Sequence, residues 1–281
     1  MSNMVGQQNV LAQQRVKGLS AARVKRVGFV FILFEVLSWG LLVSIPHQAF
    51  AQTDAPAANY TQTTPTLVIG FTGGFVHSDD LRHSEPQLAE NVEHAYGDRV
   101  VVGMFENRQR AQARRMVLDW IGRLKAAGLL EDGAQPRIIL FGHSWGASAV
   151  VYLARDLEQD GVPVALTVQV DSIKKHAEDD SVIPANVAEA VNFYQSGGAL
   201  HGQSDITAAD PSSTRILGNY RLTYSHEPDA CRAYPWRDRF FFKGHTAIEC
   251  DPQVWSQVKM LIEDRLPRHS FSAQNELAET R

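Results

Sequence analysis

A serine flanked by two glycines, in Gly142-His143-Ser144-Trp145-Gly146, lies where the apolar run Arg137-Ile138-Ile139-Leu140-Phe141 gives way to the small-residue helical pattern Ala147-Ser148-Ala149-Val150-Val151-Tyr152-Leu153. The pattern reads as strand, sharp turn, helix. A turn this tight strains its central residue, and the glycines on either side remove the Cβ atoms that would collide where strand and helix converge. Ser144 then stands at the apex with the backbone N–H groups of a helix start beside it. That placement suits nucleophilic attack on a carbonyl carbon, with amides to hold the developing anion.

A serine hydroxyl needs a base within hydrogen-bond reach, normally an imidazole held by a carboxylate. Among ten histidines, His245 stands in Lys243-Gly244-His245-Thr246, between the apolar run Arg239-Phe240-Phe241-Phe242 and a closing helix that starts at Asp251-Pro252. His226 and His201 are its rivals. His143, next to Ser144, is expected to be structural because adjacent side chains diverge. For the carboxylate, Asp171 closes the strand-type run Val164–Val170, while Glu227, Asp229 and Asp251 stay open; Asp251 also reads as a helix N-cap before Pro252. The turn Gly70-Phe71-Thr72-Gly73-Gly74, after the apolar run Thr66-Leu67-Val68-Ile69, can bring backbone amides close to a ligand.

On these residues the chain resembles the α/β-hydrolase superfamily, and within it the bacterial lipases and esterases with a Gly-His-Ser-x-Gly elbow, from about Thr66 to Leu266. The resemblance implies a mostly parallel central sheet with helices on both faces, and a serine, acid, histidine triad in that chain order. On that pattern Ser144 is the nucleophile, Asp171 the acid and His245 the base, with oxyanion amides from Trp145 and from Phe71, Thr72 being next. Two features depart from it. The early strand reads Ile69-Gly70-Phe71 where such lipases often carry His-Gly-Phe or His-Gly-Leu, and Asp171 comes one strand earlier than the acid of many relatives. The implied reaction is hydrolysis of a carboxylic ester through an acyl-enzyme, requiring no metal or organic cofactor. A thioester or amide with the same triad, and a noncatalytic binding module on the same scaffold, are the competing expectations.

The elements that must position these residues alternate. The sequence predicts a strand at Thr66–Ile69, a polar helix from about Glu85 to Tyr96 and a second strand over Arg99–Phe105. A helix follows with an inward stripe of Ala113, Met116, Val117, Trp120, Ile121 and Leu124, stopped by Gly128. After the elbow helix, to about Leu157, and the Val164–Val170 strand, the pattern loosens between Ser172 and Leu217. Asn192-Phe193-Tyr194-Gln195 reads as a further strand, Arg239–Phe242 as the last one. Val254, Trp255, Val258, Leu261 and Ile262 form the inward stripe of the closing helix. Strands separated by helices mean parallel crossovers and an α/β fold. The stretch Ser181–Val191 is too faintly amphipathic for a lid over lipid, which favours small or soluble esters.

The N-terminus is of another kind. Arg15, Lys17, Arg23, Lys25 and Arg26 precede an apolar stretch, Val27–Ile45, and Ala49-Phe50-Ala51 forms a small-x-small cleavage signal. Residues 1–51 therefore read as a secretory signal peptide, with an uncleaved anchor as the alternative because Glu35 interrupts the apolar core. Residues 52–64 read as a linker, 65–267 as the folded domain and 268–281 as a polar tail. Cleavage leaves a body of roughly 230 residues, enough for one α/β domain in the periplasm or outside the cell. The net charge of −4 falls to about −8 without the five basic residues and one acid of the leader, so nucleic acid is excluded as a partner; a membrane enters only if the segment stays uncleaved. Cys231 and Cys250 are the only cysteines, and an even count in an exported body predicts a disulfide, two free thiols being the alternative.

Overall fold

Seven-residue, mostly apolar runs supply four of the six strands of the sheet. The computed structural model describes residues 64–130, 133–175, 178–241 and 243–267. The expected signal segment 1–51, the linker up to residue 63 and the tail 268–281 lie outside the described residues. Four strands, β1 (Thr66–Thr72), β2 (Val100–Glu106), β3 (Arg137–His143) and β4 (Val164–Val170), alternate with three helices, α1 (Ser84–Tyr96), α2 (Arg110–Ala126) and α3 (Trp145–Gln159). Beyond them come β5 (Val182–Ile183), β6 (Val187–Gln195), β7 (Thr207–Ala208) and β8 (Arg215–Leu222), then α4 (Trp236–Phe241), α5 (Lys243–Cys250) and α6 (Pro252–Glu263).

Six strands form one sheet in the order β2-β1-β3-β4-β6-β8, parallel at every pairing. The short β5 and β7 pair separately. Every residue of β1, β3 and β4 is buried, as strands covered on both faces must be. Side chains alternate across the sheet. Leu67, Ile69, Ile138 and Leu140 pack with Val117 and Trp120 of α2 and Leu153 and Leu157 of α3. Val68, Ile139, Phe141 and Val168 point the other way, onto Leu88 and Val92 of α1 and Val254, Val258 and Ile262 of α6. Helices therefore cover both faces, and this is the expected α/β architecture.

Two expectations fail in the C-terminal third. The described part of the aromatic run, residues 239–241, is not the last strand: Trp236–Phe241 is helix α4, with Trp236 and Phe240 largely exposed. The sheet's end position is already taken by β8, an edge strand whose half-buried face and internal Gly218-Asn219 hide it from an apolar count. Residues 182–183 and 187–195 are strands β5 and β6, so the stretch weighed as a lid is largely part of the sheets. The disulfide Cys231–Cys250 is present, with Cα atoms 5.2 Å apart. It ties the end of α5 to the 3₁₀ turn Asp229–Ala233.

Candidate active site

All six strands run the same way, so their carboxyl ends share one edge of the sheet, and the chemistry-bearing residues follow those ends. His143 ends β3, and Ser144 turns into α3 at φ 57° and ψ −126°. The strain is held from both sides: the Ser144 N–H donates to the Val170 carbonyl at 3.0 Å, and the Ser144 carbonyl accepts from Ala147 N–H at 3.0 Å. A Cβ on Gly142 would stand 2.7 Å from the Gly146 backbone, and one on Gly146 would collide with the Phe71 carbonyl. Both flanking glycines are sterically required, as the sequence predicts.

Three of the expected side chains meet in a line. Ser144 Oγ is 2.8 Å from His245 Nε2, and His245 Nδ1 is 2.6 Å from Asp171 Oδ2. Ser144 and His245 are each 7% exposed and Asp171 is fully buried, so the line is dry at the acid and reachable at the hydroxyl. Nδ1 donating to Asp171 and Nε2 accepting from Ser144 is the tautomer that serves both contacts. Asp171 itself sits at φ 45° at the end of β4. Its carboxylate also accepts from the Gln195 N–H at 3.2 Å, the Gly202 N–H at 2.7 Å and Gln195 Nε2 at 2.8 Å. These donors fix the orientation of the carboxylate toward His245.

His245 lies within α5 rather than in an open loop. The preceding Gly244 is needed for space, since a Cβ there would stand 2.5 Å from the Gly197 carbonyl. The rival acids are elsewhere: Asp251 caps α6 by accepting from Gln253 N–H and also takes the Tyr224 hydroxyl at 2.9 Å, while Glu227 pairs with Arg239 and exposed Asp229 with Arg232. Exposed His226 and His201 take no part in the line.

The expected oxyanion residues are placed unequally. Trp145 opens α3, where a first-turn amide has no acceptor within its own helix. Phe71 is a ladder residue, paired with Phe105 on one side and Gly142 on the other. Thr72, the last residue of β1, pairs only toward β2, and its hydroxyl donates to the Val76 carbonyl at 2.8 Å, closing the turn. That turn is stapled in place: Gly73 N–H donates to Glu85 Oε1 and Asn107 Nδ2 to the Gly73 carbonyl. Lys175 Nζ in turn reaches Asn107 Oδ1 at 2.6 Å and sits 5.2 Å from the centre of the Trp145 ring. Phe75, 95% exposed, approaches the same ring at 5.6 Å.

Beneath this line sits a cluster that sequence reasoning missed. The His143 ring lies 4.5 Å from the His245 ring, centre to centre, and beside it are Glu85, Glu249 and His83, all buried. Burial, with the Glu249 charge next to it, pushes the Glu85 carboxyl up to about 8. Burial, with the charges of His245 and His83, drives His143 well below the usual imidazole range. Burial opposes the charge on His83, but the hydrogen bond to Glu249 and the neighbouring carboxylates outweigh it and raise its pKa. The one sequence signal was spacing: Glu249 is four residues after His245, one turn along the same helix face. Gln195 and Gly202, which hold Asp171, carried no such signal.

No protein-family model matches the chain, and no curated protein sequence matches it. Solved structures similar in chain path include the RedJ thioesterase of prodiginine biosynthesis from Streptomyces coelicolor, at 12% identity and a TM-score of 0.35, covering 74% of this chain and 96% of that one. An arylesterase is similar at 10% identity and a TM-score of 0.40, covering 72% and 75%. Human thioesterase 2 is similar at 12% and 0.41, covering 74% and 99%. The fold itself rests on this chain's own topology: parallel strands in the order β2-β1-β3-β4-β6-β8, with a strained serine elbow after β3, make it an α/β-hydrolase fold.

Proposed function

We propose that the protein is an exported serine hydrolase that cleaves carboxylic esters through an acyl-enzyme on Ser144. The observation that carries this reading is the unbroken line Ser144–His245–Asp171, at 2.8 and 2.6 Å, on a strained elbow. In the first step His245 Nε2 takes the Ser144 proton as Oγ bonds the acyl carbon. Asp171 keeps Nδ1 protonated and stabilises the imidazolium that forms. The negative carbonyl oxygen is held by the Trp145 amide at the helix start and by an amide at the end of β1, that of Phe71 with Thr72 next. The same imidazole then protonates the departing alcohol, and water, activated in turn by Nε2, releases the acid.

The exposed Phe75 and the Trp145 ring, with the Lys175 ammonium beside it, give the mouth an apolar and a cationic element, which fits a small-molecule or lipid ester. Export rests on the basic leader, the apolar stretch and the cleavage signal, together with the disulfide; a periplasmic or extracellular setting follows from it. The experiment is turnover of p-nitrophenyl acyl esters of graded chain length against matched acyl thioesters and anilides. Ester hydrolysis by the intact protein that disappears in Ser144→Ala supports the reading. Equal rates in the two proteins refute it, and a preference for thioesters or anilides moves the leaving group while keeping the mechanism.

A further inference from the structure

The sequence offers no run with metal-ligand spacing, yet the fold gathers three ligating side chains from distant parts of the chain. Glu85 comes from the first turn of α1, His143 from the end of β3 and Glu249 from α5. Their ligand atoms all lie within 4.8 Å of one another, and all three residues are buried. His143 Nδ1 stands 3.8 Å from Glu85 Oε1 and 3.7 Å from Glu249 Oε2. These gaps are too wide for a hydrogen bond, and too narrow for a bridging water, whose two bonds of about 2.8 Å at a near-tetrahedral angle span about 4.5 Å. His143 Nδ1 and Glu85 Oε2 have no hydrogen-bond partner among the described residues. Both carboxylates are also held from outside: His83 Nδ1 meets the far oxygen of Glu249, Oε1, at 2.5 Å, and Gly73 N–H donates at 3.3 Å to Glu85 Oε1, the oxygen that faces His143. Two carboxylates facing one imidazole, each steadied by a further donor, is the arrangement that surrounds a bound cation.

We propose that Glu85, His143 and Glu249 bind one divalent first-row transition ion, of which zinc is the best fit. A mixed nitrogen and oxygen set suits zinc, whereas calcium and magnesium take oxygen shells. Bonds of about 2.0–2.2 Å space the ligands of a four-coordinate ion about 3.4 Å apart; the observed 3.7 and 3.8 Å close with shifts of a few tenths of an ångström, and the two carboxylates, within 4.8 Å of each other, draw together by up to about 1.4 Å. The ion would tie together α1, the Gly73 turn through Glu85, the elbow strand through His143 and the helix of His245 through Glu249. It positions those elements and touches none of the reacting atoms. Binding stands or falls independently of the hydrolase reading, because its test reads metal and stability rather than turnover.

The test is metal content. The full chain, without a polyhistidine tag, is expressed in zinc-supplemented culture, passed over chelating resin and assayed by inductively coupled plasma mass spectrometry beside Glu85→Gln and Glu249→Gln. The proposal predicts about one zinc per intact chain and a drop of at least about tenfold in both variants, with a lower Tm for intact protein held in a strong chelator. If a variant fails to fold, cobalt-loaded intact protein decides: visible d–d bands of a low-symmetry site without thiolate charge transfer are expected. An intact chain without zinc or cobalt bands means that a proton on Glu85 fills the gap and overturns the proposal. Variants with undiminished zinc overturn it equally.

Discussion

Asp171 is held by four hydrogen bonds from three residues, and that crowding is what lets one carboxylate orient His245. Asp171→Asn keeps the shape but favours the opposite imidazole tautomer, so kcat for esters should fall about 10³- to 10⁴-fold with little change in Tm. Gly202→Ala tests the same support from the other side. Its Cβ would stand 2.5 Å from the Asp171 backbone, so the Gly202 amide must move away and both kcat and Tm should drop; an unchanged kcat would show that this hydrogen bond is dispensable. A surface carboxylate gives a pH readout. The Arg82 guanidinium hydrogen-bonded to Asp80 holds its carboxyl down at about 2. A lowered folded pKa gives stability that is present above the ordinary carboxylate pKa, near 4, and lost as pH falls toward 2. Asp80→Asn should therefore flatten that part of the acid limb of unfolding, by a small amount because the pair is near the surface.

At the scale of elements, α5 brings His245 and Glu249 to the sheet edge and is anchored by the disulfide at its last residue. Replacing both Cys231 and Cys250 with Ser should cost roughly 3 kcal/mol, from the loop closure they provide. Urea unfolding measures that loss, and activity should fall with it because the helix carries the imidazole. The next helix depends on its first residue. Asp251→Ala removes the side-chain cap of α6 and the acceptor of the Tyr224 hydroxyl, a loss of at least about 1 kcal/mol. Elements were legible in the sequence in proportion to their burial. β3 and β4 announce themselves because both faces are covered, and α6 because its stripe is clean. β8 does not, because an edge strand needs apolar residues on fewer positions and Gly218-Asn219 interrupts it. The run 239–242 misleads for the opposite reason: three aromatics in a row look like a buried strand, but Phe240 is largely exposed and residues 239–241 belong to α4. The placement of Ser144, Asp171 and His245 was legible because each stands at a strand end or helix start. The Glu85–His143–Glu249 cluster was not, since its members lie 58 and 106 residues apart in sequence and only the folded sheet brings them together.

For the molecule as a whole, the two-sided core makes the active edge rigid. Leu140 is fully buried between β1 and β4 in the strand that ends at the elbow. Leu140→Ala should cost about 2–5 kcal/mol while leaving the per-molecule rate of the folded fraction nearly intact, whereas Ser144→Ala should do the reverse. That opposition separates what holds the fold from what performs the reaction. The central claim is that one hydroxyl, activated through His245 and Asp171, forms a covalent acyl adduct. Peptide mass spectrometry of the intact protein after treatment with a fluorophosphonate tests it most directly. A single stoichiometric adduct on Ser144, slowed by orders of magnitude in His245→Ala, is the expected result. An unmodified Ser144, or an adduct forming equally fast without His245, would contradict it.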